Sequence, residues 1–160
     1  LTSVGKYGLS YFAEKSNSVR KIELSNLVTI KDYGMEFFCK GTTTNNNIKS
    51  LDFPNLSSVG KYGFDQAFTM MSLSSVSFPK LKSIGEASFR CAFGLGSSSS
   101  KVDSLEFPEL TAIPNQAFTG IYSSLSSYMY CNNVYFPKVT SIVANNYTLS
   151  EFGGATTVDD

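Results

Sequence analysis

At 160 residues the chain is long enough for one domain and short for two. Thirteen basic residues cancel thirteen acidic ones, so there is no electrostatic footprint for nucleic acid or an anionic membrane. No run approaches the roughly 18 apolar residues of a membrane-spanning helix, and the lack of any histidine removes the commonest general base.

Taken in order, the chain repeats one pattern. LTSVGKYGL opens inside a unit, aligning Leu1, Val4 and Leu9 with the later Leu56, Val59 and Phe64. A looser copy follows with Val19, Ile22, Leu24, Leu27, Ile30 and Met35. IKSLDFPNLSSVGKYGF supplies Ile48, Leu51, Phe53, Leu56, Val59 and Phe64, and LSSVSFPKLKSIGEASF supplies Leu73, Val76, Phe78, Leu81, Ile84 and Phe89. VDSLEFPELTAIPNQAF gives Val102, Leu105, Phe107, Leu110, Ile113 and Phe118; the last copy uses Cys131, Val134, Phe136, Val139, Ile142 and Tyr147. The column Val4, Ile30, Val59, Ile84, Ile113, Ile142 recurs at intervals of 26, 29, 25, 29 and 29 residues. A period in that range signals a solenoid or related array.

Within a unit, Val76 and Phe78 are two apart, as on one face of a strand. The flanking steps of three predict turns that return each apolar side chain to the same interior. Pro79 lacks an N–H and has a fixed φ, so it belongs at a strand's end. The predicted fold is a repeat solenoid with one short parallel strand per unit of about 25–29 residues, mostly strand and loop with little helix. It covers residues 1–147 in five to six repeats, the first and last incomplete, with 148–160 a frayed tail or linker. A chain that opens in mid-repeat reads as a segment of a longer protein. The low-complexity stretches 42–47, 94–100 and 123–127 are expected as outer loops, and the 25-residue unit from Val59 to Ile84 is expected to have the shortest loop.

The apolar-x-Phe-Pro strand, the Ile/Val-Gly turn and the pairs Gly63-Phe64, Ser88-Phe89 and Ala117-Phe118 resemble the BspA-like branch of the leucine-rich repeats. The resemblance runs from Leu1 to about Tyr147. It implies a right-handed leucine-rich-repeat coil from a secreted or cell-surface protein, mainly bacterial and in some cases from protist parasites. One feature departs from the family: where it places a cysteine, this chain has Phe38, Ala67, Ala92 and Ile121, with Cys39 and Cys91 one residue to either side. An odd count of three cysteines excludes full pairing within the chain. Cys131 occupies an apolar column and all three are expected to pack as small hydrophobes. With no histidine and no CxxC, neither a metal nor a cofactor is expected.

Stacked repeats place Leu24, Phe53, Phe78, Phe107 and Phe136 in one interior ladder. Leu9, Met35, Phe64, Phe89, Phe118 and Tyr147 form a second. Function then falls to the faces outside. The residues between the inward pairs, Glu23, Asp52, Ser77, Glu106 and Tyr135, form an outward strand column, and Lys21, Ser50, Ser75, Ser104 and Asn133 form a second beside it. Tyr7, Tyr33 and Tyr62 form another candidate surface, on which a sugar or partner would dock or which simply shields the turn. No nucleophile–base constellation, phosphate loop or dinucleotide fingerprint is present. A carboxylate pair from Glu23 and Asp52 on adjacent strands is the one arrangement with glycosidase-like spacing, and any two acids in one column would share it. The reading is therefore non-enzymatic: a module that adheres to host or neighbouring-cell proteins. The alternative is a rigid spacer presenting another domain. No nucleic acid and no membrane insertion are expected, and the segment is expected to be monomeric apart from end-to-end contacts.

Overall fold

The computed structural model describes residues 1–16, 18–40, 48–69, 71, 73–93, 101–119 and 130–143. The predicted loops, Tyr147 and the tail 148–160 lie outside the described residues. Among those described there is no helix; the chain winds as a parallel β-solenoid of about four turns. One sheet is built from β3 (Ser50–Asp52), β5 (Leu73–Ser77), β7 (Lys101–Glu106) and β9 (Tyr130–Tyr135), in that order and all parallel. Each strand ends one residue before a phenylalanine, and the next residue is proline. The amides of Leu56, Leu81, Leu110 and Val139 donate to the carbonyls of Phe53, Phe78, Phe107 and Phe136 at 3.2–3.3 Å. These are β-turns with proline second, the position its fixed φ favours.

The turn delivers the chain to a second, narrower run of parallel pairs at the Val/Ile column. These are β1 (Ser3–Val4), β2 (Thr29–Ile30), β4 (Ser58–Val59) and β6 (Ser83–Ile84) in one sheet, and β8 (Ala112–Ile113) with β10 (Ser141–Ile142) in another. Glycine follows the column where coils approach closely. A Cβ on Gly60 would lie 2.5 Å from Asp32 Oδ1, and one on Gly85 would lie 2.5 Å from the Lys61 backbone nitrogen.

The third face is a string of overlapping turns. The amides of Tyr33, Met35 and Phe37 donate to the carbonyls of Lys61, Gly63 and Asp65 in the next coil at 2.8–2.9 Å. The alternate amides of Gly34, Glu36, Phe38 and Lys40 reach back three residues within their own coil. Tyr33, Phe37 and Cys39 sit third in such turns with φ of 57°, 56° and 54°; Tyr62, Gln66 and Phe68 repeat this in the following coil. A left-handed conformation costs an L-residue roughly 1–2 kcal/mol. Here it aims alternate donors along and across the coil, so the backbone polar groups of a non-strand segment are paired.

The core between the three faces is aromatic. Phe53, Phe78, Phe107 and Phe136 stack with centroids 5.3, 5.1 and 5.1 Å apart. Phe64, Phe89 and Phe118 stack at 5.3 Å per step. Edge-to-face contacts at 5.3–5.4 Å tie the two ladders together through Phe53–Phe64, Phe78–Phe89 and Phe107–Phe118, the geometry that the ring quadrupoles favour. Both expected ladders are therefore present in the middle of the array. At its N-terminal end Leu9 and Leu24 are only partly buried. A third ladder, Phe12, Phe38, Phe68 and Phe93, packs at 5.4, 5.8 and 5.9 Å. Periodic reading misses it because the ring lies three residues after Leu9 and Met35 but four after Phe64 and Phe89. Cys39 and Cys91 are buried beside it as thiols outside any disulfide, and burial pushes the Cys39 thiol up to about 12.

Candidate binding surfaces

The strand sheet fixes its outward row by register. Asp52 lies opposite Ser77, Ser77 opposite Glu106, and Glu106 opposite Tyr135. The companion row runs Ser50, Ser75, Ser104 and Asn133. Asp52 and Glu106 are exposed, Ser77 is partly covered and Tyr135 is 55% exposed. Glu106 accepts a hydrogen bond from Ser104 Oγ at 3.1 Å. No ion pair engages Asp52 or Glu106 among the described residues. Two acids, a hydroxyl and a phenol ring thus share one solvent-facing line.

Glu23 does not join them. Residues 18–24 form no strand. Instead Glu23 is exposed and ion-paired with Lys21 two residues away. The expected Glu23–Asp52 carboxylate pair on neighbouring strands is therefore absent. Val19, Ile22 and Leu24 still pack partly against the core, so the apolar pattern is obeyed without the ladder. The segment's turn carries Ser25 where later coils carry proline.

The tyrosine flank is assembled as a stack. Tyr7, Tyr33 and Tyr62 lie 5.1 Å apart at each step with near-parallel rings. Lys6 Nζ sits 5.2 Å from the Tyr7 centroid and 5.8 Å from that of Tyr33. At the other end the Arg90 guanidinium lies 4.9 Å from the Tyr62 centroid. The ring faces are thus taken up by one another and by cations, which favours the shielding role. Tyr7 is the most open rung, and Tyr33 and Tyr62 are partly buried. Beside the stack, Arg90 Nε and Nη2 grip both oxygens of the wholly buried Asp65 at 2.9 and 2.7 Å. These bonds raise the Arg90 pKa above its ordinary value. Burial, and then the charge of Asp65, raise that of Glu36. Lys61 Nζ donates to Glu86 at 2.6 Å, which lowers the Glu86 pKa.

Asp65–Arg90 is a functional-looking pair that sequence reading passed over. Its partners are 25 residues apart, and the only available signal was that both lie one residue after an aromatic rung, Phe64 and Phe89. Among the described residues no group of His, Cys, Asp and Glu is placed to hold a metal ion. No described helix is long and apolar enough to cross a membrane.

The geometry defines a parallel β-solenoid with a polar strand face and an aromatic, cation-capped flank. No protein family, curated protein or solved structure matches the chain.

Proposed function

We propose that the chain is a non-enzymatic binding module of a secreted or cell-surface protein. In this reading it recognises an extracellular protein through the outward strand row Asp52, Ser77, Glu106 and Tyr135. The observation that carries the reading is the row itself: unlike side chains brought into line by register, with its two carboxylates in no ion pair among the described residues. A sheet face that served only as a rod would have no need of a phenol ring at 55% exposure beside Glu106 and in line with Asp52. The sequence resemblance to BspA-like repeats adds the surface or secreted setting and adhesion as the activity. A second reading, a rigid spacer, draws on the near-constant 5.1–5.3 Å rungs of the phenylalanine ladders.

Binding of the purified chain to immobilised extracellular-matrix proteins and to a glycan array separates the two. Saturable protein binding that is lost in Asp52→Lys/Glu106→Lys and kept in Glu23→Lys supports the module. Glu23→Lys serves as a control because Glu23 lies off the sheet. A folded, monomeric chain that binds nothing on either surface supports the spacer.

A further inference from the structure

We infer that the solenoid carries a built-in hinge between β6 and β8, on the face of the Val/Ile column. Along this face each coil is tied to the one before by backbone bonds at two places. The amides of Lys31, Gly60, Gly85 and Val143 donate to the carbonyls of Val4, Ile30, Val59 and Ile113 at 2.8–2.9 Å. The amides of Val28, Ser57, Lys82 and Thr140 donate to Thr2, Val28, Ser57 and Thr111 at 2.9–3.0 Å. Between β6 and β8 neither bond forms, and the run of strands divides there into two sheets.

The sequence supplies the cause. The residue that follows the column and should donate to the Ile84 carbonyl is Pro114, which has no N–H. The Ile84 carbonyl loses its donor, and the Thr111 amide makes no counterpart to the bonds of Ser57 and Lys82. A second observation marks the same place. Val4, Ile30, Val59 and Ile113 are at most 3% exposed, yet Ile84, in the middle of the array, is only partly buried.

The other two faces run through the break intact. β5 pairs with β7, and the amides of Ala87, Phe89 and Cys91 donate to the carbonyls of Asn115, Ala117 and Thr119 at 2.9–3.1 Å. The Phe78–Phe107 and Phe89–Phe118 stacks also cross it. One face without backbone bonds and two with them is the construction of a hinge. The coils from β8 onward tilt away from those up to β6 by opening a wedge at Ile84–Ile113, with the strand sheet as the axis. Such a tilt changes the curvature of the sheet between Ser77 and Glu106 and leaves its hydrogen bonds in place.

Residue-resolved amide exchange by NMR tests the break directly. In the wild-type chain the Thr111 amide is expected to exchange about tenfold or more faster than those of Ser57, Lys82 and Thr140, the scale that one net backbone hydrogen bond supplies. Pro114→Ala returns a donor at a position where Lys31, another residue with a side chain, already makes the bond in an earlier coil. It is expected to slow exchange at Thr111. Spin labels at Ser58→Cys and Ser141→Cys, with the native cysteines replaced by alanine, span the hinge on the open face. Their distance distribution is expected to be broader in wild type than in Pro114→Ala, while labels at Ser50→Cys and Asn133→Cys on the strand face, close to the axis, give distributions that differ less between the two proteins. Equal protection of Thr111, Ser57 and Lys82 in the wild-type chain would overturn the inference, as would identical narrow distributions for Ser58–Ser141 in the two proteins. The wild-type exchange measurement stands even if the alanine variant does not fold.

Discussion

Residues 18–24 and residues 73–78 carry the same apolar spacing and reach different structures. In the later segment Leu73, Val76 and Phe78 are fully buried and the backbone pairs with a strand on each side. In the earlier one Val19, Ile22 and Leu24 are partly buried and there is no strand. The pattern is enough to direct side chains inward in both. Strand pairing depends on more than the apolar spacing: residues 18–24 keep the packing without the ladder, whereas β3 and β9, each paired on one side only among the described residues, keep both. The outward row of the strand sheet therefore begins at Asp52, not at Glu23.

The largest effect should come from the doubly flanked segment. Phe78→Ala removes a ring that stacks on Phe53 and Phe107 and meets Phe89 edge-on. It should cost about 3–5 kcal/mol and uncouple the coils on either side, so that denaturant unfolding monitored by circular dichroism becomes broad or biphasic. A mutant curve that overlays wild type would dismiss the ladder as the source of cooperativity.

Next comes the pair behind the tyrosine stack. Arg90→Ala leaves the Asp65 carboxylate buried without its guanidinium. The expected loss is about 2–3 kcal/mol, less than the roughly 3–5 of a fully buried pair because Arg90 retains some solvent contact. The same substitution removes the cation from Tyr62. Urea midpoints at constant m-value give the number, and an unchanged midpoint would make the pair ornamental.

The segment without a strand should be more forgiving. Leu24→Ala truncates a half-buried side chain in a segment without a ladder, and about 1 kcal/mol is expected, well below the value for its counterpart Phe78. Equal losses at the two positions would erase the distinction between end and middle.

The prediction with no effect of titration at neutral pH concerns the Cys39 thiol. Its pKa, raised to about 12 by burial, lies above the ordinary value of 9.0. The folded state thus holds this proton more tightly than the unfolded chain. The associated stability is complete below pH 9 and is lost as pH rises from there through about 12. Stability of wild type and Cys39→Ala should therefore converge over that interval, and thiol reagents at pH 8 should modify Cys39 only when denaturant unfolds the chain. Prompt labelling of the native protein at Cys39 would contradict its placement.

Much of this architecture could be read from the amino acids. The Val/Ile column, the two phenylalanine ladders, the proline turns and the strand row from Asp52 to Tyr135 all follow from spacing, because a solenoid repeats one local solution and the sequence repeats with it. The third ladder was out of reach, since Phe38 and Phe68 differ by one residue in phase and only the packed coil brings their rings together. The left-handed backbone at Tyr33, Phe37 and Tyr62 was equally hidden. Nothing in an aromatic side chain favours φ near +55°; the hydrogen bonds offered by the next coil impose it.

What the sequence by itself determined is the period, the inward faces and the residues that terminate each strand, all properties of a single coil. Proline at position 114 belongs to it too, since the missing N–H is covalent chemistry. Only the tertiary structure decided which coils pair, that Asp65 meets Arg90, that Glu23 stands apart from the sheet, and that one absent donor divides a face into two. Each of those depends on what the neighbouring coil presents, and a neighbour is a distance in space that no spacing along one chain can state.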